Sequence, residues 1–334
     1  MAAEIAEQPA VLARLLADGM AEIADVSAQI RRYAPRFVVL AARGTSDHAA
    51  LYAKYLAEIR MAVPAGLASP SSMTVYGARP DLTGVLFLAV SQSGGSPDLV
   101  DSLSVARACG ALTVAVTNSP DSDLAAAAAL QVDVRAGAER AVAATKSYTA
   151  QLLALYLLLA GGPNGITPAE VAAPLAAAAE RTLAAGAGVT VAHRYRQVDR
   201  LVMTGRGYSY PSAREAALKL METSYLSAQA FSGADLLHGP LAMIDAAVPV
   251  IALVPPGRGG AAMAPVLERL AAIGTDVLLV GHPDGIPLAS EGIAEELLPI
   301  LEILPLQQLA WRLALDRGAD PDSPRGLAKV TRTW

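Results

Sequence analysis

The sequence predicts an α/β protein built from two tandem three-layer units, each a parallel sheet flanked by helices. Short, continuously apolar runs rich in Val and Ile alternate with helical stretches, the pattern of strands buried on both faces. The same order of strand, loop and helix recurs about 163 residues further on. The length of 334 residues suits about two domains at roughly 150 residues each.

Residues 1–30 read as a helical segment, because Ile5, Val11, Leu12, Leu15, Leu16, Ile23 and Val26 fall at helical spacing with charges between them. Phe37-Val38-Val39-Leu40 is the first strand; it runs into Arg43-Gly44-Thr45-Ser46 and a helix from Ala49 to Glu58. Val85 to Val90 is the second strand, ending in Ser91-Gln92-Ser93-Gly94-Gly95-Ser96, with a helix from Asp98 to Cys109 behind it. Leu112 to Val116 is the third. Leu201 to Thr204 then leads into Arg206-Gly207-Tyr208-Ser209, which repeats the Arg-Gly-x-Ser of residues 43–46 at an offset of 163. Val248 to Val254 and Val277 to Val280 repeat the other two strands in nearly the same register. Three strands in one register mark a duplication. The join is expected in Gly161-Gly162-Pro163-Asn164-Gly165, a cluster of chain breakers, and a helix from about Pro168 to Ala185 leads into the second copy. The domains therefore read as a helical segment over 1–30, a first unit over 31–165, a second over 166–315 and a tail over 316–334.

Composition excludes several classes. Hydrophobic residues make up 53% of the chain and charged ones 17%, enough apolar material for a sizeable core and too much for a disordered chain. A net charge of -5 with 4% aromatics argues against a nucleic-acid partner. Cys109 is the one cysteine, so neither an internal disulfide nor a thiolate metal cage is available. His48, His193, His238 and His282 lack metal-ligand spacing, and neither a metal nor a cofactor is expected. The longest apolar run, Leu152 to Ala160, falls short of the roughly 20 residues of a spanning helix. With no basic segment at the N-terminus to suggest export, the expectation is a cytoplasmic protein.

Two stretches carry chemistry. Ser91-Gln92-Ser93-Gly94-Gly95-Ser96-Pro97 follows a buried strand and opens a helix, with Ser96 at the N-cap and Pro97 at the first helical position. Backbone N–H groups, hydroxyls and the helix dipole then converge on a volume suited to a phosphate monoester. No Gly-Lys-Ser/Thr and no GxGxxG is present there, which sets it apart from nucleotide-binding loops. The equivalent loop of the second unit, Pro255-Pro256-Gly257-Arg258-Gly259-Gly260, has lost the serines. The second unit instead opens with Glu215, Lys219 and Glu222, four and three residues apart and so on one helix face. They form either a solvated salt-bridge ladder or a functional cluster. His238, in Leu236-Leu237-His238-Gly239-Pro240-Leu241, is either a satisfied core histidine or an acid/base partner of Glu222 should its loop fold back.

These residues, with Ala143-Ala144-Thr145-Lys146 and Pro324-Arg325-Gly326-Leu327-Ala328-Lys329, resemble the double SIS (sugar isomerase) domain family. They resemble in particular the isomerase half of the glucosamine-6-phosphate synthases and the SIS-type glucosamine-6-phosphate deaminases. The resemblance implies that Ser91, Gln92, Ser93 and Ser96, with Gly44, Thr45 and Ser46, hold a sugar phosphate, and that Val142, Ala144 and Ala328 line the sugar. It implies that Glu222 shuttles a proton between C1 and C2, with Lys219 supporting it. His238, supplied across a homodimer interface, would assist ring opening, and Lys329 would approach the open-chain carbonyl. Ala144 stands where the synthases have a serine, and Leu237 where they have a lysine before the histidine. No glutaminase half accompanies the motifs in these 334 residues. The expected reaction is therefore deamination of glucosamine 6-phosphate to fructose 6-phosphate and ammonia. Dehydration of N-acetylglucosamine 6-phosphate, for which Ala144 makes room, and simple phosphosugar isomerisation are the alternatives. A sensor that binds a phosphosugar without turnover is a third.

Overall fold

A computed structural model describes residues 1–160 and 167–329. The expected join at 161–165 and the end of the tail from Val330 lie outside the described residues. The chain runs α1 (Ala2–Ala6), α2 (Gln8–Asp18), α3 (Met20–Tyr33), β1 (Phe37–Ala41), α4 (Thr45–Leu56), β2 (Ala65–Leu67), α5 (Pro70–Thr74), β3 (Val85–Ser91), α6 (Pro97–Ala108), β4 (Leu112–Thr117), α7 (Asp123–Ala127), β5 (Leu130–Asp133) and α8 (Lys146–Leu159). It continues through α9 (Pro168–Ala172), α10 (Leu175–Ala184), α11 (Ala187–Val191), β6 (Arg200–Gly205), α12 (Ser209–Ser224), β7 (Ser227–Ser232), α13 (Gly233–Leu237), β8 (Val250–Leu253), α14 (Arg258–Ala261), α15 (Ala264–Ile273), β9 (Val277–Val280) and α16 (Leu298–Asp316).

Both sheets are parallel. The first has the order β2-β1-β3-β4-β5 and the second β7-β6-β8-β9. The α/β reading with parallel sheets and flanking helices therefore holds. Each sheet also gains strands beyond the three apolar runs. β2, β5 and β7 are edge strands, and Ala65-Gly66-Leu67 and Ser227 to Ser232 are too short or too polar to stand out in sequence. In both sheets the chain leaves the first strand toward one edge and returns toward the other, so the topology reverses between β1 and β3 and again between β6 and β8. Loops at the C-terminal ends of such strand pairs splay apart and leave a crevice, the general ligand position of open α/β sheets.

Packing explains the order. β3 lies in the centre of its sheet, and all of it after Val85 is buried. Phe87 and Ala89 pack with Ala41, Ala115, Leu99 and Leu103 in one core. In the second unit Val202, Val248 and Val250 pack with Leu236, Met263, Val266 and Leu270. Compactness does not follow the repeat boundaries at 30, 165 and 315. One unit holds residues 10–139, 146–173 and the chain from Ala328, the other Met1–Pro9, Arg140–Thr145 and Pro174–Leu327. The chain thus crosses between units several times. Glu4 accepts hydrogen bonds from the backbone of Arg140 and Ala141, and Gln307 donates to the Thr145 carbonyl at 3.3 Å, which ties the 140–145 segment to the second unit.

Three helical expectations change. The N-terminal segment breaks into three helices, α1 to α3. The helix expected over 168–185 breaks after Ala172, because Pro174 lacks the N–H that a continuous helix needs. The helix expected from Ala49 begins at Thr45, where Gly44, at φ 56°, turns the chain directly off the strand. Thr45 and Ser46 therefore belong to the first helical turn, whose N–H groups have no intrahelical acceptor. Among the described residues no helix is long and apolar enough to cross a membrane. Nor is any group of three or more His, Cys, Asp or Glu arranged to hold a metal ion.

Candidate active site

The first unit brings Gly44, Thr45, Ser46, Ser91, Gln92, Ser93 and Ser96 to the C-terminal edge of its sheet, at the β1/β3 crevice. Within the loop the serines accept from the backbone. Gly94 N–H donates to Ser91 Oγ at 3.1 Å and Gly95 N–H to Ser93 Oγ at 3.3 Å. A hydroxyl that accepts in this way keeps its own proton to donate. Gly94 sits at φ 63°, and a Cβ there would lie 2.0 Å from Ser122 Oγ, so no other residue fits. Ser96 takes the N-cap position with extended backbone and Pro97 follows at the first turn, as expected, yet the Ser96 hydroxyl makes no capping bond. The N–H groups of Leu99 and Val100 go to its carbonyl instead.

A pairing that the sequence did not signal joins the turns. Arg43 Nη2 lies 2.6 Å from Asp98 Oδ2, and Asp98 is buried. The pair bridges the β1 turn to the start of α6, so the two turns are held in register. Ser46 is buried and accepts from Gln151 Nε2 on α8 at 3.0 Å. Lys329 reaches Glu139 at 3.7 Å, and Glu139 also accepts from the hydroxyl and the N–H of Ser147. Lys329 is thus held by a buried carboxylate rather than left on a loose tail, while Ala328 beside it is exposed. Val142 and Ala144, both half-buried, lie in the 140–145 segment of the other unit, where Val142 N–H donates to the Asp322 carbonyl at 3.2 Å.

In the second unit α12 carries the ionisable cluster. Lys219 Nζ lies 3.3 Å from Glu215 and 2.5 Å from Glu222 Oε2. The side chains of Glu215 and Lys219 are fully buried and that of Glu222 is 20% exposed, so the solvated-ladder alternative is excluded. Burial by itself draws the Lys219 ammonium down. The charges of Glu215 and Glu222 and hydrogen bonds to both override it, and its pKa is raised. The cation therefore persists through the neutral range. One carboxylate of the cluster is sealed and the other opens to solvent. His238 caps the C-terminal end of α13 with its side chain exposed, so the core-histidine alternative does not hold.

In the counterpart loop of the second unit one backbone donor is taken by an internal carboxylate. Gly259 N–H donates to Glu295 Oε1 at 2.7 Å. Ser209, the repeat equivalent of Ser46, donates to Glu302 Oε1 on α16 at 2.7 Å. Glu302 is fully buried, and among the described residues its Oε2 has no hydrogen-bond partner. Burial pushes its carboxyl up to about 7 against the pull of the Ser209 hydroxyl, with Glu295 adding to the rise. A carboxyl raised on folding binds its proton more tightly in the native state, so stability falls as pH climbs from 4.5 to about 7. Glu302→Gln is accordingly expected to gain about 2–3 kcal/mol on the wild type between pH 5 and pH 8. Urea unfolding at both pH values reads this directly, and an equal difference at the two would sink it.

A sequence model described as the SIS domain matches residues 33–161 and 194–294. Glutamine–fructose-6-phosphate aminotransferase (isomerizing) of Gloeobacter violaceus is 35% identical, the alignment covering 98% of this chain and 58% of that protein. The chain thus spans less than two thirds of this relative, and the part it matches is the isomerase portion. The crystal structure of a candidate phosphosugar isomerase from Silicibacter pomeroyi superposes with a TM-score of 0.83 at 34% identity, over 96% of this chain and 98% of the other. Glucosamine-6-phosphate deaminase of Thermotoga maritima superposes with a TM-score of 0.76 over 97% and 100% of the two chains; at 21% identity that likeness is one of fold.

Proposed function

Because this chain belongs to the SIS domain family, we propose that it is a phosphosugar enzyme of the isomerase type whose reaction is the deamination of glucosamine 6-phosphate. The observation that carries this reading is the buried Glu215–Lys219–Glu222 cluster with only Glu222 open to solvent. A carboxylate held beside a sealed cation, reachable from one side, suits transfer of a carbon-bound proton and has no evident purpose in a passive binding module. The open serine-rich loop of the first unit supplies the phosphate donors.

The chemistry follows from the substrate. The C2 proton becomes acidic only when C1 is an open-chain aldehyde, so His238 first assists ring opening. Glu222 takes the C2 proton, leaving a planar enolamine across C1 and C2, and returns it to C1. The C2 iminium that results adds water and expels ammonia, so one sugar phosphate and one water give one fructose 6-phosphate and one ammonia. Lys219 keeps Glu222 in place, and Lys329 polarises the C1 oxygen. The single thiol of the sequence, Cys109, lies at the end of α6; these residues run the proton transfer without a glutamine-cleaving thiol among the groups assigned here. The working form is a cytoplasmic homodimer in which exposed His238 serves the neighbouring subunit.

Incubation with glucosamine 6-phosphate, followed by NMR and an ammonia assay, tests the proposal. Ammonia and fructose 6-phosphate in equal amounts are expected. An unsaturated sugar from the N-acetyl form alone would make the protein a dehydratase, and a ketose with its nitrogen retained a simple isomerase. Binding without turnover on any of these substrates would leave a sensor.

A further inference from the structure

The two repeats present the same serine at the same place, and each meets a buried polar side chain from the long helix that closes its own unit. The polarity of the two bonds is opposite. In the first unit the Gln151 amide donates to Ser46, and in the second Ser209 donates to the Glu302 carboxyl. We infer that Gln151 is a positioning residue that makes Ser46 an outward donor for the substrate phosphate, a role that the Glu302 carboxyl does not give Ser209.

A hydroxyl has one proton and two lone pairs. With a lone pair engaged by Gln151 Nε2, the Ser46 proton is left for another acceptor. Ser46 stands in the first turn of α4 at the β1/β3 crevice, beside backbone donors directed at the same volume. Gln151 is fully buried, and among the described residues its Oε1 has no hydrogen-bond partner, so its hydrogen bonding there is confined to donation. An amide with a buried orphan acceptor is costly to keep; a merely space-filling residue at this position would be apolar. In the second unit the Ser209 proton is consumed by Glu302, and Glu295 takes the Gly259 N–H in the neighbouring loop. Internal carboxyl groups there hold donors that the first unit keeps for its ligand. The loss of serines from Pro255 to Gly260 agrees with a copy that no longer binds phosphate.

This inference rests on the reading of the first unit's loop as the phosphate site, and the experiment separates the two. Inorganic phosphate is titrated calorimetrically against the wild type and Gln151→Glu, and KM and kcat are measured with glucosamine 6-phosphate. Gln151→Glu reverses the bond and adds charge. Phosphate affinity is expected to fall, and KM to rise, about 10- to 100-fold, with kcat nearly unchanged. The loss should shrink as pH is lowered and the new carboxyl takes a proton, which a general structural defect would not do. Gln151→Met keeps the volume and removes the donor without charge; it should weaken phosphate about 3- to 10-fold, and it serves if the glutamate variant fails to fold. Glu302→Gln is the control and should leave phosphate affinity unaltered. Wild-type affinity in both Gln151 variants, or a kcat loss in place of the KM effect, would overturn the role of Gln151 alone. A wild type that binds no phosphate would overturn the loop assignment as well.

Discussion

Glu222→Gln is expected to lower kcat for ammonia release from glucosamine 6-phosphate by about 100- to 10,000-fold, the usual worth of a positioned general base. The amide keeps the volume and an oxygen for the Lys219 hydrogen bond, so the cluster's packing survives while the group that accepts a proton is gone. Phosphate affinity, proposed for the serine-rich loop, should stay within a factor of about two, since Glu222 is proposed to act on the C2 proton and not on the phosphate. A variant that still releases ammonia at the wild-type rate would remove Glu222 from the mechanism. The same variant tests the placement of His238. Mixed with His238→Ala after dissociation and reassociation, it forms hybrid dimers, and in these one site regains both intact residues if the histidine crosses the interface. No recovery on mixing would place His238 in its own subunit's site.

Lys219→Met carries the largest expected loss of stability. Glu215 is sealed from solvent, and the Lys219 ammonium is its partner at 3.3 Å. Removing that cation leaves a buried carboxylate to be neutralised or exposed, a change that costs about 3–5 kcal/mol when one partner of a buried pair is deleted. Urea unfolding at pH 7 measures it, and a loss below about 1 kcal/mol would show that the pair is dispensable. Adding Glu215→Gln should restore part of the loss, since the uncompensated charge then disappears with its partner. The double variant should remain a poor catalyst, because Glu222 would still lack the cation that holds it.

Much of this site was legible in the sequence, and for identifiable reasons. Ser91 to Pro97 could be read because loop chemistry is local: a buried strand, glycine where the backbone turns left-handed, and serine followed by proline at a helix start lie within seven residues. Glu215, Lys219 and Glu222 could be placed on one face because helical geometry fixes neighbours three and four apart. Whether that face met solvent or the interior was left open, since spacing reports which residues are adjacent and not what covers them. The sequence had the same limit at His238, where surrounding leucines suggested burial and the side chain is exposed.

Arg43 and Asp98 were read only as part of a repeated turn and a helix start, and Gln151, Glu139 and Glu302 carried no sequence signal. Each is an unremarkable polar residue in its own stretch of chain and acquires a role only through a partner far away in sequence. Gln151 meets Ser46 across 105 residues and Glu302 meets Ser209 across 93. The helix breaks at Pro174 and the start of α4 at Thr45 were in principle readable from proline and glycine chemistry. The edge strands β2 and β7 were not, because their pairing comes from a neighbour and not from their own apolar content.

The sequence by itself determined the class of fold, the duplication and the location of the phosphate-type loop, since these depend on periodicity, repetition and local turn chemistry. The tertiary structure decided which ionisable groups are sealed and which hydroxyls have their protons to spare. The physical reason is one of range. Backbone pattern is set by near neighbours, whereas burial and hydrogen-bond polarity are set by whatever the fold brings in from elsewhere.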